Sequence, residues 1–438
     1  MRDTWRLDEA GSEMHPRSMN LILPICGIAV AASLGMTVIA RTGTQPFAAA
    51  AMVKMVALPA TYLVIIVGFC RMRSLGRPPA RTLIWAPALL GIVGVSLTVE
   101  IGASDHASVI SLAQDACVFL FLAAGAWIAR PLDPAGLAEA CRVMTATAAL
   151  MSLLPVQAPP FASLMVPALL VAAMLWRHVT AVERLLYLCF YMAIARQLLT
   201  AWNSWVTGAH LLEAGASAGA VLLMWWARAG RRSTFEHVVL AAVLTGVGLT
   251  TTHGAQITGR VDTHTTDVTI AQRAYETRVV EQDTARSVAR MLVGGGPGAT
   301  MDMSVSPDRR TLQSAGRELH SVDDAHLLTT HMLLKLGWAG VIWLVLFLGC
   351  LVVTLIRAGR AGSTGRIGLG IYAAAMLAYG IPAATNALAN PLLAIVVGAL
   401  AVSIPPTAGQ CPPPAERYAA GPGSHTQDDG VEVFPRRL

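Results

Sequence analysis

The sequence predicts an all-α protein that crosses a membrane many times. Of its 438 residues, 55% are hydrophobic and 13% are charged, which is about half the charged share usual in soluble domains. The hydrophobic residues come in blocks of roughly 18 to 24, long enough to cross a hydrocarbon core of ~30 Å as helices. The blocks are apolar on all sides and not only along one stripe, which is typical of membrane spans.

About twelve blocks are long enough or apolar enough to be interpreted as transmembrane helices. Taken in chain order, they are 20–40, 47–70, 82–102, 109–129, 143–154, 161–176, 185–201, 209–227, 236–252, 332–356, 367–385 and 387–405. The first block lacks a small-residue cleavage site and follows a polar stretch that carries both signs of charge. We therefore interpret it as a retained helix and not as a removed signal peptide.

Basic residues gather on one side of the predicted helices. With the N-terminus inside, the inner segments before the C-terminal tail hold 17 Lys and Arg, whereas the five short outer loops hold only Arg41. The positive-inside rule then predicts a bacterial inner-membrane protein with cytoplasmic N- and C-termini. The net charge of +6 reflects this topology, so a nucleic-acid partner is not expected.

Residues 253–331 interrupt the pattern of short loops. They are polar, contain eight arginines and have no membrane-length apolar block. The alternation of helices predicts that this loop lies in the periplasm, between the ninth and tenth spans, and long loops of this kind are often functional. The expected organisation is nine spans in 1–252, the loop, three spans in 332–405, and a Pro/Gly-rich disordered cytoplasmic tail in 406–438.

All seven cysteines lie in predicted helices or on the cytoplasmic side, and the loop has none. No disulfide framework is therefore expected in the loop. The sequence also lacks a CxxC pair or a Cys/His metal-ligand spacing. We expect neither a metal nor a cofactor.

The loop begins with a predicted helix and a glycine-rich turn. Residues 269–292 contain few helix breakers, and Arg286 and Arg290, four residues apart, would lie on one helical face. The run Gly-Gly-Gly-Pro-Gly at 294–298 would end this helix. Its backbone amides would either approach an anionic group or simply form a turn. The absence of a Walker lysine and of a preceding strand excludes a nucleotide P-loop.

His326 directly precedes the tenth predicted span, with Gly337 and Gly340 following it. If the helix begins near His326, the imidazole lies roughly 9 Å above the first buried turn, at the membrane boundary. The two glycines would allow close helix packing below it. Asp323 and Asp324 are near enough in sequence to orient the ring. The alternative is an ordinary interfacial or capping histidine.

The order of these motifs resembles the O-antigen ligase and O-antigen polymerase superfamily of lipid-linked glycan enzymes. That family has about twelve helices and a large late periplasmic loop, in which an arginine-bearing helix leads to a Gly-x-Gly-x-Gly turn. A histidine and a helix opening with Gly-x-x-Gly follow. The residues of this chain that match are Gly294, Gly296 and Gly298 in the turn, then His326, Gly337 and Gly340.

The resemblance also implies which arginines bind substrate. Arg278 matches the arginine of the loop helix, and Arg196 is similar to that of a Ser-Arg-Gly motif two helices before the loop. The chain departs from the family at three places: Ser and Gly are missing around Arg196, Leu327 replaces an asparagine, and Lys335 stands where an acidic residue is usual.

The implied reaction is transfer or polymerisation of an undecaprenyl-diphosphate-linked glycan onto a sugar hydroxyl of a glycan or lipid-glycan acceptor. This would be a metal-independent glycosyltransferase of surface polysaccharide or lipopolysaccharide biosynthesis. Arg196 and Arg278, with Arg286 and Arg290 as substitutes, would bind the diphosphate in the bilayer surface. His326 would be the general base, and a base opposite the leaving group predicts inversion at the anomeric carbon.

Two other functions fit the same pattern. A twelve-helix transporter or flippase would move the lipid-linked glycan without reacting it, although the chain shows no internal repeat of the kind found in many transporters. A non-catalytic membrane partner of polysaccharide export would use the loop to bind another protein. Glu100 and Asp115 lie in or near apolar blocks, where charge is functional by default, but the sequence names no partner for either.

Overall fold

A computed structural model gives the fold. It describes residues 19–41, 59–61, 63–67, 70, 84–103, 109–128, 134–154, 159–200, 208–229, 263–302, 321–322, 325–381 and 390–402. These residues are mostly helical, which confirms the predicted dominance of helix. The predicted span 236–252, most of 47–70, and the C-terminal tail lie outside the described residues.

The described helices, numbered in chain order, are α1 Met19–Arg41, α2 Trp85–Ala103, α3 Val109–Ile128, α4 Pro134–Ser152, α5 Met165–Leu175, α6 Ala181–Thr200, α7 Gly208–Ala229, α8 Thr263–Thr284, α9 Val288–Val293, α10 Leu328–Ala361, α11 Thr364–Gly380 and α12 Pro391–Val402. A 3₁₀ helix, Pro159–Leu164, precedes α5. Two short antiparallel strands, β1 Met301–Asp302 and β2 Ser321–Val322, pair within the loop.

Two of these helices are long and apolar enough to cross a membrane. They are α1, through the stretch Ile22–Ile39, and α10, Leu328–Ala361. Shorter apolar helical stretches occur at Trp85–Glu100, Asp115–Gly125, Met165–Leu175 and Leu392–Ala401. The described part of the chain thus contains two candidate spanning helices.

Helix α4 begins nine residues earlier than the predicted span at 143–154. Pro134 occupies its first position, where a missing N–H costs nothing. The charged residues in these added turns are paired: Arg142 binds Glu139 at 2.8 Å and, on the neighbouring helix α6, Glu183 at 2.8 Å. The same Glu183 accepts hydrogen bonds from Thr180 at the start of α6, as a capping box does.

Helix α11 is the centre of the helical packing and is buried along nearly its whole length. It packs against α7, α4, α12, α10 and α5. Small residues permit this close contact, since a Cβ at Gly365 would lie 2.6 Å from the Ala138 backbone N of α4. Such small-residue contacts replace the hydrophobic driving force that is weak between helices in lipid.

The loop helix predicted at 269–292 is two helices. Helix α8 ends at Thr284 and α9 begins after Ser287, whose extended backbone and hydroxyl cap the new helix by accepting from the Arg290 N–H. A serine competes for backbone hydrogen bonds and so favours a helix start over a helix interior. Arg286 therefore lies outside both helices, and the expected single helical face with Arg290 is wrong.

Candidate functional site

The loop docks onto the beginning of α10 through a small hydrophobic core of its own. Four residues are buried together in this core: Val280 of α8, Met301 of β1, Ala325 just before α10, and Leu334 of α10. Ala325 is the residue directly before His326, so this core fixes the backbone that carries the histidine. A hydrogen bond of 3.0 Å between the Thr277 and Thr330 hydroxyls joins the same two helices.

A buried carboxylate on α8 holds His326. The Nδ1 atom of the ring lies 2.7 Å from Glu276 Oε1, and the backbone N–H of His326 donates to Glu276 Oε2 at 3.0 Å. Gln272, one helical turn earlier, donates its side-chain N–H to the same carboxylate at 3.1 Å. The Glu276 side chain is only 1% exposed, whereas that of His326 is 60% exposed.

These contacts set the protonation of both groups. Burial by itself would raise the pKa of Glu276, but the hydrogen bonds from His326 and Gln272 bring that pKa below its ordinary value. An ionised carboxylate only accepts hydrogen bonds, so Nδ1 must carry the ring proton. The Nε2 atom is then the basic nitrogen, on a ring that is mostly open to solvent. A general base needs this arrangement.

Replacing Glu276 by Gln tests this assignment. The Gln amide would donate to Nδ1 and favour the tautomer whose Nε2 is protonated and no longer basic. We expect the rate of the glycan transfer that the family resemblance implies to fall about 10²-fold or more, as in triads whose orienting carboxylate is lost. The depressed pKa of Glu276 also adds stability that is complete above the ordinary glutamate pKa and fades as pH falls through the lower folded value.

The measurements for this variant are the rate and the acid dependence of hydrogen exchange in α8. The wild type should lose protection of α8 at low pH, and Glu276→Gln should lack this component of the loss. The control is Glu281→Gln, on the exposed side of the same helix. Equal rates for Glu276→Gln and the wild type would contradict the positioning role.

Two glycine motifs far apart in sequence meet in the structure. Helix α10 is broken at Gly337, which has φ 61° and ψ −156°. Gly294, with φ 74° and ψ −170°, lies against this break, and a Cβ there would be 2.5 Å from the Lys335 carbonyl carbon. Both backbones occupy a region that is essentially open to glycine alone. Gly337 therefore allows the expected close packing, here against the end of α9, and it also breaks its own helix.

The glycine-rich turn binds protein and does not present open amides to an anion. The N–H of Gly294 donates to the Arg290 carbonyl at 2.8 Å, that of Gly295 to Leu334 at 2.9 Å, and that of Gly296 to Lys335 at 3.1 Å. The Ser96 hydroxyl of α2 bonds the Val293 and Lys335 carbonyls, at 2.7 and 2.9 Å. Of the two alternatives for this turn, the contacts favour the structural one.

Alanine at Gly337 should strongly destabilise the protein. The conformation at this residue costs a residue with a Cβ about 1–3 kcal/mol, and the new methyl group would also overlap the Gly294 backbone. The matched control is Gly349→Ala, in the same helix, where a Cβ meets nothing within 4 Å. The apparent melting temperature in detergent should fall for Gly337→Ala and stay equal or rise for Gly349→Ala. Equal melting temperatures for the two variants would contradict the break at 337.

A buried lysine joins the turn, α10 and α3. The Lys335 side chain is 0% exposed and forms an ion pair with Asp115 of α3. Its ammonium also donates to the carbonyls of Pro297 at 3.0 Å and Ala299 at 2.8 Å. A lysine is almost never fully buried without such partners. Lys335 stands where the family that the chain resembles usually has an acidic residue, and here it forms a structural ion pair.

Glu100 of α2 completes this charged cluster. Its carboxylate lies against Gly296, at a place that a Cβ on that residue would fill, and the Gly298 amide faces it. The sequence indicated no partner for Glu100 or Asp115. The structure shows that both lie beside Lys335. The cluster ties the loop to the helices below it.

Two of the four arginines chosen from the sequence share one carboxylate. Arg286 binds Asp283 at 3.0 Å and Arg290 binds both Asp283 oxygens at 3.0 Å. Burial raises the pKa of Asp283, and the Arg286 charge offsets part of that effect. The side chain of Arg286 is 74% exposed, against 22% for Arg290. Arg286 is therefore the more accessible of the two to a bound anion.

The other two arginines lie on exposed helical surface. Arg278 is exposed on α8, two residues after Glu276, and so about 200° around the helix from it at 100° per residue. Arg273 is three residues before Glu276, on its side of the helix, and is half-buried. The structure thus brings Arg273, which the sequence did not select, closer to the His326 side than Arg278. Arg196 lies near the end of α6 with an exposed side chain.

An exposed apolar surface continues from the loop onto α10. Val288 and Leu292 of α9 are exposed, as are Trp338 and Ile342 just after the break in α10. Contact between the backbones of Leu292 and Gly337 makes the two sets adjacent. Exposed apolar side chains of this extent mark a surface that contacts lipid or protein. In the same loop, Val280 faces inward, whereas Val288 and Leu292 face outward.

Sequence reasoning missed Glu276 and Gln272. It looked for the orienting carboxylate beside the histidine, at Asp323 and Asp324, which lie outside the described residues. The signal that was available is helical spacing: Gln272, Glu276, Val280 and Thr284 are each four apart and all buried. Residues at this spacing lie on one face of a helix, and a less polar face on an otherwise polar helix indicates that this face packs against another part of the protein.

Comparisons with known proteins give no match from which a function could be inferred. No protein-family model matches the chain, and neither curated proteins nor solved structures give a match.

Proposed function

We propose that this chain is an inner-membrane glycosyltransferase, similar to O-antigen ligases and polymerases, which transfers an undecaprenyl-diphosphate-linked glycan onto a sugar hydroxyl. The observation that carries the proposal is the pair of Glu276 and His326. A buried carboxylate fixes the proton on Nδ1 and leaves a basic Nε2 on an exposed ring. The pair lies where an arginine-bearing loop docks onto a membrane-length helix.

In the proposed reaction His326 Nε2 takes the proton of the acceptor hydroxyl. The hydroxyl oxygen attacks the anomeric carbon of the donor sugar and forms the new glycosidic bond. The bond from that carbon to the diphosphate oxygen breaks, and undecaprenyl diphosphate leaves with the electron pair. Attack from the side opposite the leaving group inverts the anomeric configuration. The proton then passes from the exposed imidazolium to solvent.

Arginines would stabilise the departing diphosphate. Its negative charge grows as the bond breaks, and a preorganised cation in a partly dehydrated site lowers the barrier by several kcal/mol. Arg278 and Arg196 keep this proposed role, with Arg286 and Arg290 as substitutes. Arg286 is supported by its 74% exposed side chain, and Arg273 joins the set because it shares the Glu276 side of α8.

The proposal includes a membrane topology of about twelve spans with residues 253–331 in the periplasm. Support comes from the two membrane-length helices, from the exposed apolar side chains of α9 and α10, and from the distribution of basic residues. A short helix with exposed apolar residues beside exposed arginine suits the headgroup layer.

Cysteine labelling tests the topology. Arg286→Cys places a thiol on the exposed part of the loop, and His178→Cys places one in the connector before α6, which is exposed and predicted to be cytoplasmic. In a background without the natural cysteines, a membrane-impermeant maleimide should label the first variant in intact spheroplasts and the second only after lysis. Labelling in the opposite order would put the loop in the cytoplasm and remove the proposed reaction.

Reconstitution tests the reaction. The full chain in lipid vesicles is supplied with an undecaprenyl-diphosphate-linked glycan, prepared from the cells that naturally contain this protein. The acceptor, a glycan or lipid-glycan, is prepared from the same cells. We expect a longer or ligated glycan and one undecaprenyl diphosphate released per transfer. Movement of the donor across the bilayer without release of undecaprenyl diphosphate would instead favour the flippase. The buried Lys335 and Glu100, with the partly buried Asp115, give that alternative some support, since transporters place charges inside the membrane.

A further inference from the structure

A second histidine–carboxylate pair lies at the ends of α7 and α11, outside the site described above. His210 Nδ1 is 3.1 Å from Glu213 Oε2 on the same helix. The Tyr379 ring of α11 lies beside the His210 ring, with 5.7 Å between the ring centroids. Glu213 is also close enough to the Tyr379 phenol for the two groups to interact. Three polar groups from two helices thus converge.

Glu213 is the unusual member of this cluster. Its side chain is 0% exposed, and within the described part of the chain its Oε1 atom has no hydrogen-bond partner. A buried carboxyl oxygen without a hydrogen-bond donor costs free energy. The groups above it are open to solvent in part, since the His210 side chain is 21% exposed and Tyr379 is half-buried. A ligand that reached them could supply the missing donor.

The cluster is connected to the His326 segment. The Leu328 N–H, two residues after His326, donates to the Ile381 carbonyl at 3.0 Å. Ile381 is two residues after Tyr379, at the end of α11. The backbone that follows the proposed base is therefore bonded to the backbone that carries the tyrosine, and the two histidine–carboxylate pairs lie close together in the fold.

We propose that His210, Glu213 and Tyr379 form a site for the hydroxyl groups of a sugar ring. Glu213 Oε1, which lacks a hydrogen-bond donor within the described residues, accepts from one hydroxyl. The tyrosine hydroxyl and the imidazole supply further polar contacts at the edge, as in sites where a few placed polar groups orient a ligand. The assignment rests on the proposed glycan transfer and places the sugar next to the base. Donor and acceptor sugars share this chemistry.

Equilibrium binding tests the site without requiring turnover. The probe is the free, fluorescently labelled oligosaccharide released by mild acid from the lipid-linked glycan of the producing cells, and the protein is the full chain in nanodiscs. Glu213→Leu should weaken binding about 3- to 10-fold, since the hydrogen bond from the sugar hydroxyl to the Glu213 side chain is lost. Glu281→Gln, on the exposed side of α8, should bind as the wild type does.

A second variant and a kinetic measurement complete the test. Tyr379→Phe keeps the ring and removes only the hydroxyl, so it decides the matter if Glu213→Leu does not fold. In the reconstituted reaction, KM should rise for the acceptor or for the donor, whichever sugar occupies the site, with kcat unchanged. Wild-type binding and KM in both variants would overturn the sugar site even if transfer occurs. Binding that depends on Glu213 without any transfer would keep the site and reject the proposed reaction.

Discussion

His326→Ala should reduce the proposed glycan transfer by about 10²- to 10⁴-fold, the contribution usual for a positioned general base. The ring is 60% exposed, so its removal leaves no large cavity and the folded protein should accumulate normally. The rate is measured as undecaprenyl diphosphate released by the reconstituted protein. In cells, the same variant should accumulate lipid-linked glycan.

The matched control is His178→Ala, an exposed histidine before α6, which should keep the wild-type rate. Combining His326→Ala with Glu276→Gln should cost no more than His326→Ala alone, since the carboxylate acts only through the ring. Wild-type glycan output from the single His326 variant, at equal protein level, would remove the catalytic role. A double variant much slower than either single one would give Glu276 a separate function.

Lys335→Met should be the most destabilising of the proposed substitutions. It removes the positive charge that faces Asp115 and lies beside Glu100, and it leaves the Pro297 and Ala299 carbonyls without their donor. Removing one partner of a buried ion pair typically costs 3–5 kcal/mol, because the other charge stays buried and uncompensated. The measurement is the apparent melting temperature in detergent, together with the steady-state protein level.

A second substitution separates charge from shape. Asp115→Asn added to Lys335→Met should recover part of the lost stability, since a neutral amide is less costly to bury than an unpaired carboxylate. Arg360→Met, at the exposed end of the same helix, is the control and should change stability little. If Lys335→Met melts with the wild type, the buried ion pair is not what ties the loop to α3.

Catalytic and structural defects can be told apart by combining these variants. His326→Ala should lose activity at normal stability, whereas Lys335→Met and Gly337→Ala should lose stability first. Hydrogen exchange should show opening of the loop, including α8, in Lys335→Met and Gly337→Ala, because the turn at 294–298 loses contacts with α10. His326→Ala should keep the protection of α8 except near Glu276.

Local patterns predicted the individual helices well where apolar content decides the outcome. The bounds of α1, α2, α3 and α7 lie within three residues of the predicted spans, since a continuous apolar block has few alternatives in lipid. Prediction was wrong where charged residues had hidden partners. Helix α4 starts early because Arg142 pairs with Glu183 of another helix, and the loop helix divides at Ser287 because that hydroxyl caps α9.

The sequence by itself determined the helical class, the apolar blocks, and three motifs that lie at the candidate site: the glycine run at 294–298, His326 and Gly337. Composition and spacing along one chain carry that information directly. Only the tertiary structure decided how the motifs combine. It showed that Gly294 sits in the break at Gly337, that Lys335 pairs with Asp115, and that Glu276 orients His326 from 50 residues away. These are contacts between distant segments, whose partners depend on how the helices pack and cannot be derived from the local sequence.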